Sequence, residues 1–261
     1  MTISGTGSIK YRAFYDNKDI VSATIEKGIT SIGAHAFINT SNMESISIPN
    51  SVVTLGGWAF ASSGLKSLVL PDSARKDGTD TRYMCGGCNN LEEFILPANW
   101  GNRLGELLIA DTPKLKRFVV PEAVTFESWT NWNLNTGATL YCTASQISKG
   151  ICNSNSIRYE KDANGNYVAY KSDGSIDSVF ENFSDFQKDK TVNEYYAKDI
   201  EGNGLKYDGR GNLLGIQYLD GSTAVVKDGK IVGMTKRGPF TIPEANALTK
   251  DGPVNTVTIT W

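Results

Sequence analysis

Residues 28–37 read GITSIGAHAF, and residues 51–60 read SVVTLGGWAF. Their closing phenylalanines, Phe37 and Phe60, are separated by the same interval as Ile25 and Ile48 just upstream. A fixed period in the twenties marks a solenoid, each unit being one strand plus a turn or short helix. Such a unit buries its apolar side only by stacking on its neighbours.

The period runs outward from these blocks. Short strands ending near a proline read A23-T-I25, I46-S-I48-P49, L68-V-L70-P71, F94-I-L96-P97 and F118-V-V120-P121. The anchors Ile25, Ile48, Leu70, Leu96 and Val120 step by 23, 22, 26 and 24. A second ladder, Met43, Leu65, Leu91 and Leu115, steps by 22, 26 and 24. Two ladders that drift together define one repeat. Strand alternation turns Ile46 and Ile48 inward and Ser47 outward. The proline lacks an amide donor and ends the strand.

The block I-x-I-P-x-x-V-x-x-(I/L)-G-x-x-A-F closely resembles the BspA-like leucine-rich repeat family. Ile46, Ile48, Pro49, Val52, Leu55, Gly56, Ala59, Phe60 and then Leu65 carry it, and Ile32, Gly33, Ala36, Phe37, Thr40 and Met43 repeat it. Residues 2–7, TISGTG, look like the strand that opens such arrays. The resemblance spans residues 2–145 and loosens after the second full copy, where Met84 and Cys85 replace Ala-Phe. It implies a bacterial secreted or surface-attached protein that adheres to host proteins or other cells, with no activity tied to the repeat. MTISGTGSIK lacks an apolar signal core, so the natural N-terminus, with any export signal, is expected to lie upstream.

Composition limits the alternatives. The chain has 261 residues, 40% hydrophobic and 21% charged, with a formal net charge of −2. There is no basic footprint for nucleic acid and no apolar run of membrane-helix length. Cys85 and Cys88 form C-G-G-C. A zinc site would want a second ligand pair, and the one histidine, His35, lies far off in sequence. Cys88 stands three before Leu91, as Thr40 stands three before Met43, so it fills a turn position; a Cys85–Cys88 disulfide stays open. Cys142 and Cys152 flank TASQISKGI, a short capping helix, and are either bridged across it or buried as free thiols. We therefore divide the chain into a solenoid, 1–153, and a β-rich domain, 154–261.

The second half changes character. Residues 157–177 and 205–222 both read strand, Gly-Asn turn, strand, Asp-Gly-Ser turn, aligning Tyr159 with Tyr207 and Asp173 with Asp220. Asp-Gly and Asn-Gly between alternating apolar residues signal hairpins. Residues 225–233 add another hairpin. Residues 184–197 are the most helix-like stretch, 241–249 read as a capped short helix, and 255–261 as a closing strand. This is an α+β domain with a meandering antiparallel sheet.

Catalytic chemistry finds little footing. A Ser-His or Cys-His pair would have to use His35, which the repeat puts in an exposed turn with no acid fixed beside it. D162-A-N164-G-N166 lacks the glycine and glutamate of a calcium loop and reads as a hairpin turn. The sequence singles out no carboxylate pair. The expectation is a non-enzymatic protein with no cofactor and no metal. Its partner would be a protein or other macromolecule, a host extracellular-matrix protein being one such, met without nucleic acid or membrane insertion. The rivals are an enzyme with a carboxylate site in 156–261 and a structural module of a larger surface protein. Two surfaces stand out. His35, Trp58 and Tyr83 share one register position and predict an exposed ring ladder for the partner. On the outer strand face Thr24, Ser47, Val69, Ile95 and Val119 turn apolar along the chain, so Val69, Ile95 and Val119 should meet either the second domain or a ligand.

Overall fold

A computed structural model describes residues 1–75, 79–101, 104–124 and 131–235. The chain divides into two compact units, Met1–Ser156 and Ile157–Trp261.

The first unit is a solenoid. Its early turns each contribute two short strands. One parallel ladder joins β1 (Thr2–Ile3), β3 (Ser22–Ile25) and β5 (Ser45–Ser47); the other joins β2 (Gly7–Ile9), β4 (Ile29–Ile32) and β6 (Thr54–Leu55). The first ladder's line continues as the parallel pairs β7 (Ser67–Val69) with β8 (Glu93–Ile95), and β9 (Arg117–Val119) with β10 (Thr139–Thr143). Where β6 would be followed by another strand, a 3-10 turn forms at Asp72–Arg75, just after Pro71.

Between strands the chain makes a tight turn that stacks on the next one. Phe14 N–H donates to Ala36 O at 2.8 Å, Phe37 to Ala59 at 2.8 Å, and Phe60 to Met84 at 3.1 Å. Every polar backbone group in such a turn needs a partner once buried, and the neighbouring coil supplies it. Gly56 is required by this approach: an added Cβ would lie 2.3 Å from Ala34 N. The two predicted apolar ladders form the core, with Met43, Leu65, Leu91 and Leu115 buried beside Ile25, Leu70, Leu96 and Val120. Phe37 and Phe60 are fully buried and stack at 5.7 Å between ring centres.

The turn position of Cys88 is a polar ladder. Thr40 and Thr112 hydroxyls donate to Phe37 O and Ile109 O, each at 2.7 Å. The Cys88 thiol donates to Phe60 O at 3.1 Å and lies 3.3 Å from Ser63 Oγ. Cys85 and Cys88 are free, buried thiols, and burial pushes the Cys85 thiol well up, away from the reactive thiolate.

At its C-terminal end the solenoid is closed by α1 (Ala144–Ser148). Thr143 and Gln146 form a capping box, and Gln146 Nε2 donates to Pro121 O at 2.7 Å and Val124 O at 3.0 Å. A disulfide joins Cys142, on β10, to Cys152 on the far side of this helix. Reducing it should cost about 3 kcal/mol, the value for a short closed loop. The check is the urea midpoint with and without dithiothreitol; an unmoved midpoint would show that the bridge is idle.

The second unit holds an antiparallel sheet of β11 (Ile157–Lys161), β12 (Tyr167–Tyr170) and β13 (Ile176–Phe180). After it comes α2 (Phe183–Gln187). A five-stranded antiparallel meander follows: β14 (Glu194–Lys198), β15 (Gly204–Asp208), β16 (Leu213–Gln217), β17 (Thr223–Lys227) and β18 (Lys230–Thr235). Three hairpin loops share the form Asp-x-x-Gly-Asn. In each, the aspartate binds backbone amides and the asparagine side chain, for example Asn166 N–H to Asp162 Oδ1 and Asn166 Nδ2 to Asp162 Oδ2, both at 2.9 Å. Asp199 and Asp208 repeat this on Asn203 and Asn212. Gly165, Gly202 and Gly211 take the left-handed position, with φ of 87°, 89° and 74°. Asp162 thus orders its own turn, and it also bears on the buried Tyr195 hydroxyl.

Two sequence readings change. The stretch 184–197 is not one helix: α2 ends at Gln187, Asp189 turns left-handed at φ 60°, and the alternating Glu194–Lys198 becomes β14. Asn182 caps α2 by accepting from Asp185 N–H at 2.9 Å, and β-branched Thr191 and Val192 favour strand thereafter. The two copies superpose on their loops, Asp162 with Asp208 and Asn166 with Asn212, so Tyr159 is not the counterpart of Tyr207. The helix and strand read at 241–249 and 255–261 lie outside the described residues.

Candidate functional site

Successive turns of the solenoid carry two residues in the left-handed region, four apart. One column is Arg12, His35, Trp58, Tyr83 and Leu107, with φ of 56°, 58°, 62°, 49° and 55°. The other is Asp16, Asn39, Ser62, Gly87, Asp111 and Asn135, with φ of 57°, 61°, 53°, 74°, 53° and 53°. The second column is built mostly of the residue types that tolerate this conformation. The first is not.

The left-handed backbone turns the first column's side chains outward, one above another. His35 and Trp58 stack at 5.7 Å with planes 5° apart, and Trp58 and Tyr83 at 4.0 Å with planes 22° apart. Tyr11 closes the His35 end edge-on at 5.4 Å and 72°. The Tyr83 ring lies against Gly86, where an added Cβ would come within 2.6 Å of it. Trp58 is 38% exposed and Tyr11 60%. His35 and Tyr83 are half-buried. The Arg12 guanidinium sits 4.5 Å from the Tyr15 ring centre and 5.4 Å from that of Tyr11.

The structure thus brings His35, Trp58 and Tyr83 into one continuous stack and adds Tyr11, Arg12 and Tyr15. The sequence carried a signal for the additions: I9-K-Y-R-A13-F14 is the I-G-x-x-A-F block with lysine for glycine, one repeat period before Ala36-Phe37. The outer strand column behaves differently. Val69 is 47% exposed, whereas Ile95 and Val119 are 7% and 3% exposed. Tyr141, the strand partner of Val119, is buried in the same column. Val69 borders an open groove of about 550 Å³ between segments 46–50 and 69–72.

His35 is the one titratable group of the stack near neutrality. Burial, and then the Arg12 charge, hold its imidazolium below the ordinary value. A lowered folded-state value means that the unfolded chain takes up the proton first. The stability tied to neutral His35 is full above about pH 6.5 and drains as the pH falls through the lower folded value. Melting of the wild-type protein and of His35→Gln between pH 7.5 and 5 should show the wild type losing more; parallel curves would remove this role. Among the described residues no cluster of three or more His, Cys, Asp or Glu could hold a metal ion, and no helix is long and apolar enough to cross a membrane.

No curated protein matches the chain. Among solved structures it is similar to the pneumococcal vaccine antigen PcpA, at 22% identity and a TM-score of 0.45, covering 59% of this chain and 41% of that one. It is also similar to a leucine-rich cell surface protein from Faecalibacterium prausnitzii, at 20% identity and a TM-score of 0.37, covering 64% and 52%. A leucine-rich repeat protein of T. pallidum is similar at 18% identity and a TM-score of 0.31, covering 51% and 66%. The chain therefore spans less than two thirds of each of these proteins. Residues 7–135 match, in six copies, the family model for the BspA type leucine rich repeat region, and that region is the solenoid described above.

Proposed function

We propose that this chain is a non-enzymatic recognition protein of the cell surface or extracellular space. Its solenoid would hold a macromolecular partner, such as a host extracellular-matrix protein, on the column His35, Trp58 and Tyr83. Repeats of this type generally mediate protein–protein interaction or adhesion. The observation that carries the choice of surface is the contrast between the two left-handed columns. A bulky side chain in that region costs roughly 1 kcal/mol. The Asp/Asn/Ser/Gly column avoids most of that cost, and the ring column accepts it at successive turns. Strain kept where small residues would relieve it points to use. Exposed tryptophan and tyrosine are the residue types that dominate binding hot spots. The Cys142–Cys152 bridge suits an oxidising compartment.

The test is a binding screen of the full chain against a panel of immobilised extracellular-matrix proteins, repeated with Trp58→Ala. Trp58→Ala should melt within a few degrees of the wild type and weaken binding by about fivefold or more, the loss of roughly 1 kcal/mol or above. Full binding by Trp58→Ala would remove the column from the reading. Silence across the panel would remove the matrix partner.

A further inference from the structure

The way the rings stack says which chemistry the column can receive. An aromatic ring has an electron-rich face and an electron-poor edge. A sugar or an apolar side chain would lie flat on a free face. In this column the faces of His35, Trp58 and Tyr83 are turned on one another, and Tyr11 closes the outer face of His35. At His35 and Trp58, each flanked by two rings, what remains for a partner is the edges, which attract oxygen acceptors.

Most carboxylates beside the row have a cation near them; Asp111, which bears on Tyr83, instead accepts from Asn135. Asp16 is paired with Lys18 at 2.8 Å, and Asp80 with Arg82 at 2.7 Å. Glu106 lies near Arg82 and adds to its charge environment. Arg12 stands apart: among the described residues no carboxylate pairs with it, and its guanidinium is propped between the Tyr11 and Tyr15 rings. Arginine in that posture offers a planar fork of donors that matches a carboxylate. Lys10, exposed next to it, adds charge of the same sign.

We infer that the partner meets this column with carboxylates: an acidic segment of a protein, its side chains on the Arg12 fork and its carbonyl and carboxyl oxygens along the ring edges. The inference rests on the reading of the column as the partner-binding face. It predicts a preference for Asp- and Glu-rich sequence and a binding strength that falls with salt.

The experiment is selection from a random-peptide phage library against the immobilised full chain. The selected peptides are then synthesised and their affinities measured for the wild type, Arg12→Gln and Trp58→Ala. Selected peptides should be enriched in Asp and Glu. Arg12→Gln should bind them about tenfold more weakly, a typical loss for one desolvated charge-assisted pair. Added salt should weaken the wild type more than Arg12→Gln, since exposed charges are screened. If Trp58→Ala loses binding while Arg12→Gln does not, or the peptides carry no excess of acids, the carboxylate inference fails and the column stands. If neither substitution matters, or no peptide is selected, the column fails with it. Should Trp58→Ala unfold, Tyr11→Ala at the His35 end of the stack takes its place.

Discussion

Truncating Phe60 to Ala lowers the stability of the solenoid by about 3–5 kcal/mol, the range for deleting a buried aromatic side chain. Phe60 is fully buried and stacks on Phe37, which stacks in turn on Phe14 at 5.0 Å. A cavity at Phe60 therefore removes a rung from a continuous column. Because each coil is held by its neighbours, the loss should reach hydrogen-exchange protection in the coils on either side, not in its own turn alone. The melting temperature should drop on the order of 10 °C. A Phe60→Ala protein that melts with the wild type would mean that the stacked register is wrong.

Phe186→Ala should cost a similar amount, about 3–5 kcal/mol, and the loss should stay within the second unit. Phe186 is fully buried at the hub of a ring cluster. Its centre lies 4.7 Å from Phe180, 4.9 Å from Tyr159, 5.8 Å from Tyr167 and 6.5 Å from Phe183. Ring pairs of this kind add to the area they bury, so the upper half of the range is expected. Exchange protection should fall on β11, β12 and β13 and hold in the solenoid strands. Loss of protection at Phe37 or Phe60 in this variant would show the two units unfolding as one.

The solenoid was legible because its determinants are apolar and periodic. Ile25, Leu70, Leu96 and Val120 had to face one core, and Met43, Leu65, Leu91 and Leu115 had to close it. The first copy, at Ala13-Phe14, is obscured in the sequence because Lys10 fills the glycine position. In the later coils the glycine is needed, as where Gly56 meets the backbone at Ala34. The left-handed columns were not legible either. Asp and Asn hint at such a conformation, but Trp58 and Tyr83 adopt it through hydrogen bonds to the next coil, as from Trp58 N–H to Arg82 O at 2.9 Å. Tertiary bonding overrides propensity there. The same competition split 184–197, where helix-forming residues such as Glu194 and Ala197 were claimed by pairing with β15. His35, Trp58 and Tyr83 could be registered as a ladder from spacing alone. That their faces would be sealed against one another depends on side-chain angles that no spacing contains.

The paired left-handed residues hold a constant separation of four, while the interval from one coil to the next, read from Arg12 to Leu107, varies as 23, 23, 25 and 24. Length changes are therefore absorbed outside these five-residue turns, and the turn edge behaves as a conserved spine. A gene encoding such a chain can gain or lose a whole coil by unequal recombination, or lengthen one, without breaking the spine. A cassette running from Ala36 to Trp58, one period of 23 residues, would splice into itself in register. The array could in this way grow its ring column one rung at a time.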